Sequence, residues 1–229
     1  MNVSGLDHLL LDLDGTLLDA HFDDYFWEEF VPDIIARRDG ITPAAARQRL
    51  LALYNEARFS LRWADVDYWS EQLGVDIVAL KRRQSHLIRL HPGADDFLRG
   101  AKQSGWRPHL VTDAHPKTLA IKFEKVDIKD FFDTIICAED VGAAKTEPGF
   151  WRSLRARGYS LDHCLLVDDN LMALRQAHRA GVATCIHITR PNSRRENRPK
   201  AEFFAAASVA DLPSFLSLPS FFPSQEERP

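Results

Sequence analysis

His8-Leu9-Leu10-Leu11-Asp12-Leu13-Asp14-Gly15-Thr16 reads as a short apolar strand that runs into two carboxylates and a glycine turn. Residues two apart on an extended chain point to the same side, so Asp12 and Asp14 can face one pocket. Taken alone, Asp14-Gly15 is equally an ordinary Asp-Gly turn. What surrounds this stretch decides between the two.

Downstream the chain first turns helical. From about Asp23 to Leu90 apolar residues recur at helical spacing, without a convincing strand. Thr42-Pro43 is an N-cap followed by an N1 proline and opens a helix through Ala44 to Tyr54. Asp65 to Leu73 predicts another helix, stopped by Gly74, and Asp76 to Leu90 a further one.

After His91-Pro92-Gly93 helices and apolar runs alternate. The helices are Ala94–Ser104, Pro116 to about Lys125, Pro148 to about Arg157 and Asn170–Ala180. Between them lie the strands Pro108–Thr112, Thr134–Ala138, Cys164–Asp168 and Ala183–Ile188. This is the pattern of βαβ units: an α/β, Rossmann-like, mainly parallel sheet with helices on both faces and a helical insert after its first strand. Beyond Arg190 the pattern weakens, and Pro213, Pro219 and Pro223 punctuate an ending expected to pack through Phe215–Leu218 and then fray.

Each predicted strand leads into a reactive group at its C-terminal end, where open α/β sheets bind ligands. The first ends in Asp12 and Asp14, the second in Thr112-Asp113, and the fourth in Asp168-Asp169-Asn170, with Lys145 just beyond the third. Close carboxylates repel unless a cation sits between them, and few protein oxygens suit Mg²⁺ better than Ca²⁺. A hydroxyl and an ammonium beside such a cluster make a phosphate site, and Gly15 allows close backbone approach. Asn170 also suits the N-cap of the following helix.

Asp12-Leu13-Asp14-Gly15-Thr16, Leu110-Val111-Thr112, Lys145 ahead of Pro148 and Val167-Asp168-Asp169 together resemble the four motifs of the haloacid-dehalogenase-like hydrolase superfamily. Phe22-Asp23-Asp24-Tyr25-Phe26-Trp27, Asp67-Tyr68-Trp69-Ser70-Glu71-Gln72-Leu73-Gly74 and Thr112-Asp113-Ala114-His115-Pro116 resemble its bacterial GMP/IMP 5′-nucleotidases, which carry an α-helical cap. Asp113 departs from the asparagine of that pattern. The resemblance implies a discontinuous core over 1–18 and 91–212 and a cap over 19–90; the proline-punctuated tail over 213–229, expected to be partly disordered, does not share in it. Cap hinges are then expected near Asp19–Ala20 and Leu90–Pro92.

It further implies a phosphatase. Asp12 is expected as the nucleophile, Asp14 as the general acid and base, and Thr112 and Lys145 as holders of the phosphoryl group. Gly15 and Asp113 join them in phosphate binding. Mg²⁺ is expected on Asp12, Asp168 and the Asp14 carbonyl, with Asp169 orienting through water. Dehalogenases of the family lack the second carboxylate, so Asp14 favours a phosphatase.

The insert is rich in aromatic residues: Phe22, Tyr25, Trp27, Tyr54, Phe59, Trp63, Tyr68 and Trp69. Such rings could stack a purine, oriented by Asp23, Arg58 or Asp67, although rings at helical spacing also build small helical cores. Phe22, Asp23, Tyr25, Arg58 and His115 are the expected substrate contacts, and a purine 5′-monophosphate the expected substrate. Sugar-phosphate phosphatases, phosphomutases and phosphonatases share the core chemistry. A phosphonatase needs a cap lysine of depressed pKa; Lys81 is the sole lysine of 19–90, and nothing in the neighbouring sequence suggests such a depression. A non-catalytic phosphate-responsive module is the remaining alternative, but there the acidic pair precedes the phosphorylated aspartate.

Composition excludes several other classes. Over 229 residues, 45% are hydrophobic and 27% charged, as in ordinary globular proteins. A net charge of −4 argues against a nucleic-acid partner, and the basic run from Arg190 to Lys200 reads as a solvated loop. No apolar run is long enough to span a membrane. Three scattered cysteines and the absence of a secretory signal after Met1 make the cytoplasm the expected location, and a monomer or small homo-oligomer is the expected state.

Overall fold

The computed structural model describes residues 3–58 and 60–216, without the side chains of Ser214 and Phe215. Met1, Asn2, Phe59 and 217–229 lie outside the described residues, and with them most of the tail expected to be partly disordered; of the packing expected through Phe215–Leu218, the described Leu216 is buried in an apolar cluster on one face of the sheet.

Strands β1 (His8–Leu11), β2 (Arg107–Thr112), β3 (Thr134–Cys137), β4 (Cys164–Asp168), β5 (Thr184–Ile188) and β6 (Phe204–Ala206) form one sheet in the order β3-β2-β1-β4-β5-β6. Every pairing is parallel, and in register Leu11 stands between Leu110 and Val167. The short β6 extends the edge beyond the region where the sequence pattern weakens.

Side chains alternate between the two faces as a pleated strand requires. Leu9, Leu11, Leu110, Leu165, Val167 and Ile186 enter one apolar cluster. Leu10, Val111, Leu166 and Cys185 enter the other. Helices α1 (His21–Tyr25), α2 (Val31–Asp39), α3 (Pro43–Ala57), α4 (Val66–Leu73) and α5 (Ile77–Gln84) lie between β1 and α6 (Ala94–Gln103). They are followed by α7 (Pro116–Phe123), α8 (Ala138–Val141), α9 (Pro148–Ala156), α10 (Leu171–Arg179) and α11 (Pro213–Leu216). The first face is covered by α6 and α7, the second by α9 and α10.

The block from α1 to α5 holds an apolar cluster of its own, which includes Phe26, Leu50, Val66, Trp69 and Ile77. A π-helical stretch over Phe26–Phe30 joins α1 to α2. Thr42, Asp65 and Asp76 cap α3, α4 and α5 by accepting backbone hydrogen bonds. The predicted helix to Leu90 stops early, because Leu90 pairs with Leu18 and Arg89 accepts a hydrogen bond from the Asp19 N–H. These pairings draw the two connections into extended chain where hinges are expected. Among the described residues no helix is long and apolar enough to cross a membrane.

Candidate active site

Strand order reverses around β1, so its C-terminal end opens between those of β2 and β4. The Asp12 N–H donates to the Val167 carbonyl at 3.0 Å, which anchors the turn after β1 to β4. Asp12, Thr112, Lys145 and Asp168 are all buried there. The Lys145 ammonium bridges Asp12 Oδ1 at 2.5 Å and Asp168 Oδ2 at 2.7 Å. Asp113 accepts a hydrogen bond from the Lys145 N–H at 2.8 Å, so its carboxylate fixes the loop that delivers this lysine. Thr112 Oγ1 accepts from the Ala114 N–H at 3.0 Å and keeps its own proton for a ligand.

Asp12, Asp168 and Asp169 each bring a carboxylate oxygen within 4.8 Å of the others. Burial raises Asp12 to about 6 against the pull of Lys145. Burial, followed by the charges of Asp12 and Asp168, pushes Asp169 up to about 8. A hard divalent cation would relieve this crowding, and an all-oxygen set is the one such a cation takes. The residues present therefore fit Mg²⁺. Asp168 Oδ1 accepts from the Asn170 N–H at 2.8 Å, and Asn170 caps α10 through the Met172 N–H at 3.0 Å.

The Asp14 carboxylate is not one of the three that converge; its Oδ1 lies 2.6 Å from the Lys122 ammonium. Burial raises Asp14 to about 6, against the charge of Lys122. Gly15, at φ +84, lies beside Asp169 and Pro191.

The carboxylates and lysines above, with Thr112, line a cleft of about 440 Å³, an ordinary size for a small-molecule site, and Gly15 is not part of that lining. On its helical side stand Trp27, Tyr54, Asn55, Arg58 and Trp63. Tyr54 meets Trp27 and Trp63 edge to face at 5.7 and 6.0 Å. The expected substrate contacts divide here. Arg58 and His115 line the cleft, and His115 Nδ1 also caps α7 by accepting from the Lys117 N–H at 3.2 Å. Asp23 lines it too, but both its oxygens are taken, by Lys81 at 2.6 Å and Lys122 at 2.8 Å. Phe22 and Tyr25 do not line it: Phe22 packs into the core against the first sheet face, and Tyr25 stacks on Phe30 at 6.4 Å. A helix presents one side to the cleft, and α1 turns its charged side there. Asp67 instead binds Lys117, with its oxygens at 2.7 and 2.6 Å.

Two further readings are corrected. The basic run is not simply solvated, because Arg198 reaches Asp169 Oδ2 at 2.8 Å and Arg195 pairs with Glu28 and Asp24. Acidic groups of the site and of the helical block draw the loop onto the molecule. Lys81 is buried, which lowers its pKa despite Asp23, and its ammonium sits 4.5 Å from the Phe26 ring centre. Lys122, absent from the expected site, carried one weak signal: it lies four residues after Thr118, on the same side of a helix, and both line the cleft.

Comparison with known proteins agrees with this geometry. A family model described as haloacid dehalogenase-like hydrolase matches residues 6–181. The GMP/IMP nucleotidase YrfG of Escherichia coli (strain K12) is 35% identical over 189 residues, covering 82% of this chain and 85% of that protein. The glyceraldehyde 3-phosphate phosphatase of Pyrococcus abyssi (strain GE5 / Orsay) is 27% identical over 114 residues, 49% of this chain and 48% of its own. Among solved structures, a HAD phosphatase from Thermococcus onnurineus superposes with a TM-score of 0.76 at 25% identity, covering 92% of this chain and 98% of that one. The chain belongs to the haloacid dehalogenase-like hydrolases, and it is an enzyme of that family.

Proposed function

We propose that this enzyme is a Mg²⁺-dependent phosphatase that hydrolyses purine 5′-monophosphates through an aspartyl-phosphate on Asp12. The observation that carries the reading is the pair of carboxylates two residues apart, each with its own buried lysine. Asp12 is bound to Lys145 and Asp14 to Lys122, both in one cleft. One carboxylate can thus serve as nucleophile while the other handles protons.

A carboxylate oxygen of Asp12 attacks phosphorus in line, and the bond to the ester oxygen breaks as Asp14 gives that oxygen its proton. Water then attacks the acyl phosphate, Asp14 takes the proton back, and the phosphorus–Asp12 bond breaks to release phosphate. The Thr112 hydroxyl and the Lys145 ammonium hold the phosphoryl oxygens, with Gly15 giving close backbone approach. Asp12, Asp168 and the Asp14 carbonyl would hold Mg²⁺, with Asp169 orienting it, and the ion would neutralise charge on the transferred group.

On this reading residues 19–90 act as a cap over a core formed by 1–18 and 91–212. Purine selectivity is supported by the rings of Trp27, Tyr54 and Trp63 beside Asn55 and Arg58, and by the similarity to the GMP/IMP nucleotidase. The sugar-phosphate reading draws on the shorter match to the glyceraldehyde 3-phosphate phosphatase. Phosphate release with Mg²⁺ from IMP, GMP, hexose phosphates, glyceraldehyde 3-phosphate and an aryl phosphate tests both. Selective turnover of IMP and GMP is expected. Preference for sugar phosphates would discard the purine assignment, and no turnover of any ester would discard the phosphatase.

A further inference from the structure

Lys81 and Lys122 are 2% and 1% exposed, and although Lys122 is paired with Asp14, the steps above route no bond or proton through either lysine. Lys122, on α7, places its ammonium 2.6 Å from Asp14 Oδ1 and 2.8 Å from Asp23 Oδ2. The other oxygen of Asp23 takes the Lys81 ammonium at 2.6 Å. Alternating charges thus run Asp14, Lys122, Asp23, Lys81, from the catalytic loop through α7 to α1 and α5 of the helical block.

Stability does not explain this chain. Removing ions from water costs several kcal/mol each, and well-packed apolar groups often serve a fold as well or better. What the arrangement does supply is orientation. One oxygen of Asp14 is fixed by Lys122 while its side chain remains 28% exposed in the cleft. Lys122 has its second carboxylate, Asp23, on the first turn of the helical block, so the position of that block and the pose of Asp14 are set by one ammonium.

We infer that Lys122 is a positioning residue: it clamps the Asp14 carboxylate for proton transfer, and Asp23 with Lys81 holds the clamp from the helical block. The inference rests on the proposed role of Asp14 as general acid and base.

The test is leaving-group dependence in Lys122→Met. An alkyl phosphomonoester needs a proton on its departing oxygen, whereas 4-nitrophenolate leaves without one. The value of kcat/KM covers the steps up to formation of the acyl phosphate, so water attack does not enter. For the best alkyl ester of the wild type kcat/KM should fall about 100-fold, the scale of a positioned general acid, and for 4-nitrophenyl phosphate by no more than about threefold. Equal losses on both esters, or no loss on either, would overturn the inference. Should Lys122→Met fail to fold, Asp23→Asn, which keeps both lysines, takes its place, with a selective loss of about tenfold expected on the alkyl ester. Equal behaviour of the two esters would again overturn it. A wild type inactive on both esters would instead overturn the phosphatase reading beneath it.

Discussion

Gly15 lies so close to Asp169 that a β-carbon built on the glycine would stand 2.8 Å from the carboxylate carbon. The same β-carbon would be 2.8 Å from Cβ of Pro191, and the residue's φ is +84. Gly15→Ala must therefore move Asp169 or the loop carrying Pro191, besides straining its own backbone. A loss of about 1–3 kcal/mol in unfolding free energy is expected, with weaker Mg²⁺ binding. Denaturant unfolding with and without Mg²⁺ measures both, and a variant equal to the wild type in each would contradict the proximity.

Asp12→Asn preserves shape and removes the carboxylate proposed as the nucleophile. Phosphate release should fall by at least about 10⁴-fold, with the circular dichroism spectrum unchanged. Retained turnover would exclude the covalent route.

On the proposed metal site, Mg²⁺ should raise the melting temperature of the metal-free protein, because the converging carboxylates exist in the folded and not in the dispersed chain. At 100 times the dissociation constant the gain is about 2.7 kcal/mol. Asp169→Asn, which removes one of the three converging carboxylates, should reduce the shift. A shift of full size in that variant would remove Asp169 from the metal site.

A stability change with pH is expected far from the cleft. His109 is buried, bonded to His8 at 2.8 Å and to Thr134 at 2.7 Å. Burial, then the neighbouring His8, lowers it from 6.5 to about 4. Above pH 6.5 the ring is neutral folded or unfolded; between 6.5 and about 4 only the unfolded chain takes the proton. Its contribution is therefore full at neutral pH and declines as pH falls through that window, by up to on the order of 3 kcal/mol. The stability difference between wild type and His109→Asn should narrow from pH 7 to pH 5, and a constant difference would refute the assignment.

Trp63 lines the helical side of the cleft and is 41% exposed. If its ring stacks a purine, Trp63→Ala should raise KM for IMP and GMP about tenfold and leave that for glycerol phosphate nearly unchanged. An equal effect on both substrates would place the base elsewhere.

Much of the fold was legible in local sequence. Buried strands of Leu, Val and Ile separated by capped helices imply a parallel sheet, and the sheet implies that Asp12, Thr112 and Asp168 end at one edge. Those positions depend on chain order and strand polarity, which the sequence encodes directly. The contacts on the helical side of the cleft were a different matter. Phe22 and Tyr25 follow the turn after β1 closely, yet the helix rotates them away and presents Asp23, whose oxygens are already occupied. Lys122 comes 108 positions after Asp14, and Arg198 comes 29 after Asp169. Side-chain charges meet wherever the folded surfaces bring them, and a contact between distant segments leaves no period or local spacing to read. The sequence by itself thus determined the sheet, the edge at which the cleft opens and the residues along it. Only the tertiary structure decided which ammonium each carboxylate holds and which aromatic rings face the cleft, because both depend on the rotation and docking of whole helices.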